Sequence, residues 1–187
     1  MTVRRARLKL LWDVRQSVRT GAGGQWRADL LHGTLASRLA TEFQGYAVAL
    51  HDAAANQFVT VVAGGNRQVA IVLRERMTQA RALSRGNATP DALTRDFSRI
   101  GLTLWPALGS ADSRATSWKT ELQKLVETRN AVVHADDAAL LNLRGQGYPL
   151  TGGKMRDWQQ TLNLLTATMD DVVSDYLSAL LGVARPW

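Results

Sequence analysis

The sequence predicts an all-α fold in which residues 1–187 form a single helical domain. Apolar residues recur every three or four positions over long stretches, which is the period of an amphipathic helix. Glycine- and proline-containing segments separate those stretches, and no pair of segments alternates apolar and polar residues as strands do. A chain of 187 residues is long enough to bury one core, so one domain is expected.

The predicted helices of the first half follow from this periodicity. Residues 3–19 suit an N-terminal helix, which "TGAGG" at 20–24 ends. The clearest helix starts near Leu31 and keeps an apolar residue at every third or fourth position until Gly64-Gly65 ends it. A third helix is predicted over about 68–83.

In the second half, Thr89 before Pro90 is typical of an N-cap followed by proline at the first helical position. A short helix over 91–99 is therefore expected inside an otherwise irregular connection, 84–114. A fourth long helix covers about 115–135, a glycine-rich loop follows at 142–153, and the last helix stops at Gly182. The result is a bundle of four to five long helices with an additional N-terminal helix.

Composition narrows the classes of function. The chain has 23 Lys and Arg against 16 Asp and Glu, a net charge of +7, which favours a polyanionic partner such as RNA. It has no cysteine, which excludes disulfides, thiolate metal sites and cysteine nucleophiles. No stretch of 18 uncharged apolar residues predicts a membrane span. We expect a cytoplasmic protein whose basic beginning, "MTVRRARLKLLW", belongs to the fold.

The stretch "LVETRNAVVHADD", residues 125–137, carries unusual polar content for a core helix. Arg129 lies on the line along which Leu125 points inward, and buried arginine requires a partner. Asn130 and His134 are four residues apart and share the neighbouring edge of the helix. The pattern predicts a polar cluster at the rim of the core.

Glu42 is an awkward carboxylate on the clearest helix, since it lies between the apolar Leu39 and Phe43. We expect it to pair with Arg129 or to reach the edge that carries His134. The alternative is that Glu42 extends to solvent at the flank of its helix.

Other candidate sites are weak. His32 and His51 have no metal-like spacing with a carboxylate or a second histidine, so both are expected at the helix surface or its boundary. The glycine pairs form neither a G-x-G-x-x-G nor a Walker pattern, and no G-x-S-x-G elbow is present. We therefore expect no metal and no cofactor.

The pattern Arg129-Asn130-(Ala-Val-Val)-His134 resembles the R-x(4–6)-H signature of HEPN domains, in its form with asparagine directly after the arginine. The layout of helices agrees over nearly the whole chain, whereas the specific signal is confined to six residues. The resemblance implies a helical bundle that forms a homodimer and brings two motifs together across a cleft. It also implies a metal-independent endoribonuclease, often a toxin or an effector of phage defence.

The residue types fit that chemistry, in which a 2′-hydroxyl attacks the adjacent phosphate of RNA. Arg129 would bind the phosphate through its planar fork. Asn130 would position the imidazole, and His134 would transfer protons near neutral pH. The second proton-transfer group would come from the other protomer's His134. An antitoxin or a nucleotidyltransferase is an expected further partner.

Two alternatives stay open at this point. One is a catalytically silent HEPN module that binds a nucleotide or a protein partner through the same cluster. The other is a plain helical bundle in which Arg129 is a structural arginine with its hydrogen bonds satisfied.

Overall fold

The computed structural model describes residues 24–187, with side chains from Leu30 onward. Over this range the chain forms helices and no strand, which confirms the predicted all-α bundle. The predicted N-terminal helix, 3–19, lies outside the described residues. The helices are α1 (Gly24–Ala63), α2 (Arg67–Thr78), α3 (Ala82–Arg85), α4 (Pro90–Phe97), a 3-10 helix (Ser98–Ile100), α5 (Leu104–Ala111), α6 (Ala115–Val133), α7 (Asp137–Gly145) and α8 (Gly152–Leu181).

The core lies between the three long helices. Helix α1 packs against α8, α6 and α2, and α8 also packs against α6. Phe43 of α1, Leu125 of α6 and Trp158 of α8 are all buried in one apolar cluster. Burial of apolar side chains of this size supplies roughly 1.5–3 kcal/mol each, so these three helices form the frame that positions the rest.

Several predicted boundaries are confirmed. Thr89 caps α4, since its Oγ1 accepts a hydrogen bond from the Ala92 N–H at 3.1 Å, and Pro90 is the first helical residue. Helix α1 ends just before Gly64 and α8 just before Gly182, and both glycines have positive φ. Positive φ is nearly free of strain for glycine alone, which is why these residues stop a helix so reliably.

The prediction of an irregular connection at 84–114 is wrong, because most of that segment is helical. Helix α5 includes Pro106 as its third residue, where the backbone N–H has no partner inside a helix. The loop predicted at 142–153 is also too long. Its first residues belong to α7, whose N-cap Asp136 accepts a hydrogen bond from the Ala139 N–H at 2.9 Å.

His51 is fully buried, so its expected place at a helix surface or boundary is wrong. Its Nε2 lies 3.0 Å from the Asp96 carbonyl oxygen, and its Nδ1 lies 3.3 Å from the Arg81 guanidinium. Arg81 also forms an ion pair with Asp52 at 2.5 Å. Burial lowers the pKa of His51. His32 is buried as well.

No helix in the described part of the chain is both long and apolar enough to cross a membrane.

Candidate functional site

The predicted motif lies where α6 ends and the chain turns back into α7. His134 is the C-cap residue of α6, and its backbone N–H donates to the Asn130 carbonyl oxygen at 3.0 Å. Ala135 has a φ of +50°, and the Asp136 N–H returns to the Ala131 carbonyl oxygen at 2.8 Å. This tight reversal places the last turn of α6 beside α7.

A cleft of about 280 Å³ lies between α6 and α7. Its lining combines three amide side chains, two carboxylates and, among the described residues that line it, a single imidazole. The lining residues are Glu127, Asn130, Ala131, His134, Asp136, Ala139, Asn142, Leu143 and Gln146. Amides both donate and accept hydrogen bonds, whereas ionised carboxylates only accept them. The cleft therefore suits a ligand with several hydroxyl or amino groups.

Glu127 is one of the two carboxylates that line this cleft. It accepts hydrogen bonds from Lys124 Nζ at 2.8 Å and from Gln123 Nε2 at 2.9 Å. Partial burial raises the pKa of Glu127, but these two hydrogen bonds outweigh burial and hold the pKa below its usual value. Lys124 also donates to Gln146 Oε1 at 2.8 Å, so one lysine connects both sides of the cleft.

Arg129 lies next to the cleft without lining it. It is half-buried, and its Nη1 donates to the Asn130 side-chain oxygen at 3.1 Å. Thr128, the residue before Arg129 on the helix, is buried, whereas Arg129 is not fully buried. Asn130 and His134 thus share the cleft, as predicted for neighbours on one edge, and Arg129 joins them only through Asn130.

Glu42 forms an ion pair with Arg38, one turn earlier on α1. Its predicted pairing with Arg129 stays a prediction. Arg38 and Glu42 are spaced i and i+4, a pairing that stabilises a helix by its own geometry. This spacing is visible in the sequence and was the stronger signal.

Asn87 is a contributor that sequence reasoning missed. Its Nδ2 donates to the same Asn130 oxygen at 2.8 Å, although it lies 43 residues away in a loop before α4. Asn142 on α7 and Gln146, the C-cap residue of α7, were likewise assigned to a loop. None of the three shows a periodic pattern, so only the tertiary fold reveals their place at the cleft.

Comparison with known proteins gives two relatives that share a name. Anhydro-N-acetylmuramic acid kinase from Parasynechococcus marenigrum (strain WH8102) is 34% identical over 130 residues, which cover 64% of this chain and 33% of the relative. The protein of the same name from Synechococcus sp. (strain CC9605) is 34% identical over 101 residues, 49% of this chain and 27% of the relative. This chain thus spans about a third of the length of the relatives it matches. No family model and no solved structure matches it.

These relatives are named as kinases and not as ribonucleases, so the prediction of a metal-independent endoribonuclease is wrong. The predicted toxin and phage-defence roles, which depended on that activity, are therefore also wrong. The chemistry of the cleft agrees with this correction, because Glu127 and Asp136 would repel an RNA phosphate placed between them. The homodimer and the RNA partner are separate from the activity and stay predictions.

Proposed function

We propose that this chain is a HEPN-like helical module that binds a nucleotide, and that it serves an enzyme of phosphoryl transfer. The observation that carries the proposal is the lining of the α6–α7 cleft, where Asn130, Asn142 and Gln146 surround a space bounded by two carboxylates. The relatives named as kinases support it, since a kinase must bind the nucleotide that donates its phosphoryl group.

The uncharged part of the nucleotide would lie inside the cleft. Amide side chains can read the edge of a base, and Glu127 can accept hydrogen bonds from ribose hydroxyls. The volume of about 280 Å³ lies just below the roughly 300–1,000 Å³ found for small-molecule sites. A nucleoside is of suitable size, whereas an oligonucleotide is not.

The phosphates would lie at the exposed rim of the cleft. His134 is exposed there, and an imidazole N–H can donate a hydrogen bond to a phosphate oxygen. Arg129 supplies a guanidinium at the position next to Asn130, and its fork matches phosphate oxygens. The cleft would thus bind the neutral part of the ligand, and its rim would bind the anionic part.

Isothermal titration of the full chain with adenosine and with ADP tests this proposal. We expect both ligands to bind, and ADP to bind more tightly. Asn142→Ala should weaken both by about fivefold, because a hydrogen bond contributes about 1 kcal/mol. Asn163→Ala is the matched control, since Asn163 is an exposed asparagine on α8.

Two results would refute the nucleotide proposal. One is the absence of binding by either ligand. The other is equal affinity in the Asn142→Ala and wild-type proteins, which would place the ligand outside the cleft. Binding of an amino sugar in place of adenosine would keep the cleft as a site and replace the nucleotide as its ligand.

The HEPN resemblance also supports a homodimer formed through the end of α6. Val133 is 53% exposed beside His134, and Leu141 on α7 is 69% exposed. A two-fold interface would cover both apolar side chains and bring two clefts together. Light scattering should give a dimer that Leu141→Asp converts to a monomer, while Leu180→Asp on α8 leaves it unchanged. A monomeric wild-type protein at micromolar concentration would exclude this arrangement.

A further inference from the structure

A second cavity, of about 620 Å³, lies against α3 and α4, on the far side of Asn87 from the α6–α7 cleft. Three arginines from three elements line it: Arg85 ends α3, Arg95 belongs to α4, and Arg99 belongs to the 3-10 helix. We propose that this arginine cavity binds a small phosphate-bearing molecule, such as a phosphomonoester or a pyrophosphate. This inference does not depend on a ligand in the α6–α7 cleft.

The lining of the arginine cavity is positively charged. It contains three arginines and one carboxylate, Asp96, which gives a formal charge of 3 − 1 = +2. Asp96 is fully buried, and its two oxygens accept hydrogen bonds from the Ala82 N–H at 2.9 Å and the Leu83 N–H at 2.7 Å. The carboxylate is thus held by the backbone of α3 and by Arg99, while Arg85 and Arg95 remain available to an anion.

The three guanidinium groups differ in the hydrogen bonds and ion pairs that they form with the protein. Arg99 is fixed, because its Nη1 donates to the Gln79 carbonyl oxygen at 2.7 Å and its Nε lies 3.7 Å from Asp96. Arg85 has no hydrogen bond or ion pair with another residue in the described part of the chain. Arg95 has one long contact, from Nε to a backbone carbonyl at 3.4 Å. Arg99 therefore contributes positive charge from a fixed position, with its donors directed at backbone carbonyls. The forks of the other two arginines are open to phosphate oxygens.

The shape of the arginine cavity favours a small anion over a polynucleotide. All three arginines belong to residues 85–99 and line one cavity. A nucleic-acid backbone is instead bound by cations that follow it along a groove. At Gly86, an added Cβ would meet nothing within 4 Å, so the space above that backbone is open to a ligand.

Asn87 connects the arginine cavity to the α6–α7 cleft. It lines the cavity, and its Nδ2 donates to the Asn130 oxygen at 2.8 Å. A phosphate that draws the Asn87 amide into the cavity would weaken that hydrogen bond. Ligand in the cavity should therefore shift the side-chain amide resonances of both Asn87 and Asn130.

Titration of the full chain with inorganic pyrophosphate, followed by calorimetry and by NMR, tests the arginine cavity. We expect saturable binding and a shift of the Asn130 side-chain amide signal. Arg85→Gln with Arg95→Gln should weaken binding at least tenfold. The matched control, Arg114→Gln with Arg156→Gln, removes the same charge from two exposed arginines elsewhere and should weaken it less than twofold. His134→Ala tests whether pyrophosphate binds at the rim of the α6–α7 cleft instead.

Three outcomes would overturn the arginine cavity as a phosphate site. Equal weakening in the control variant would show general attraction to a basic protein. Loss of binding in His134→Ala would place the phosphate in the α6–α7 cleft. Linear, unsaturated heats would show no site. Arg85→Lys with Arg95→Lys keeps the charge without the fork, so it should also weaken binding, and it replaces the glutamine variant if that variant does not fold.

Discussion

Replacing Asp96 by asparagine tests the contact that holds α3 against α4. The buried Asp96 carboxylate accepts hydrogen bonds from two backbone amides, Ala82 and Leu83, at 2.9 and 2.7 Å. Asparagine has nearly the same shape but only one accepting oxygen, so its NH₂ group would face an N–H donor. One buried N–H then loses its partner, which costs about 1–3 kcal/mol, and the remaining bond loses its charge. We expect a loss of about 2–4 kcal/mol in the free energy of unfolding.

Urea denaturation followed by circular dichroism measures this loss. With a slope of about 2–3 kcal/mol per molar urea, the midpoint of Asp96→Asn should fall by about 0.7–2 M. Asp91→Asn is the control, since Asp91 is exposed in the first turn of the same helix and should change stability by less than about 1 kcal/mol. An Asp96→Asn midpoint equal to that of Asp91→Asn would refute the reasoning.

Three further predictions concern stability. Burial holds the pKa of His51 below its usual 6.5, so the unfolded chain binds more protons than the folded chain below that pH. The urea midpoint should therefore fall as the pH drops from 7.5 to 5, and it should fall less in His51→Gln. Gly101 has a φ of +84° and its Cβ would lie 2.5 Å from the Tyr176 hydroxyl, so Gly101→Ala should cost more than about 1 kcal/mol in the same assay. His134 is exposed, so thermal denaturation of His134→Ala should give a Tm within a few degrees of wild type.

The sequence predicted the long helices well because their signals are local. Apolar periodicity marks α6 and α8, and Gly64, Gly182 and the Thr89–Pro90 pair set helix ends by backbone geometry alone. The short α5 was missed because it lies within the segment predicted to be an irregular connection, and it contains a proline. Pro106 is harmless there, since it occupies the first helical turn.

The candidate site was predicted in part. Asn130 and His134 do share one cleft, because residues four apart on a helix share an edge. Arg129 is half-buried and bonded to Asn130, while the preceding residue, Thr128, is buried. The partners of Asn130 and His51 could not be predicted, because Asn87 and Asp96 come from distant parts of the chain that the fold brings together.

Amide hydrogen exchange, measured with and without ADP, tests most directly whether the α6–α7 cleft is the ligand site. We expect ADP to slow amide exchange in residues 130–146, which include the end of α6, the turn at His134 and helix α7. Protection confined to residues 80–99 would place ADP in the arginine cavity, and protection in neither segment would show that ADP does not bind. Either result would contradict the proposed nucleotide site.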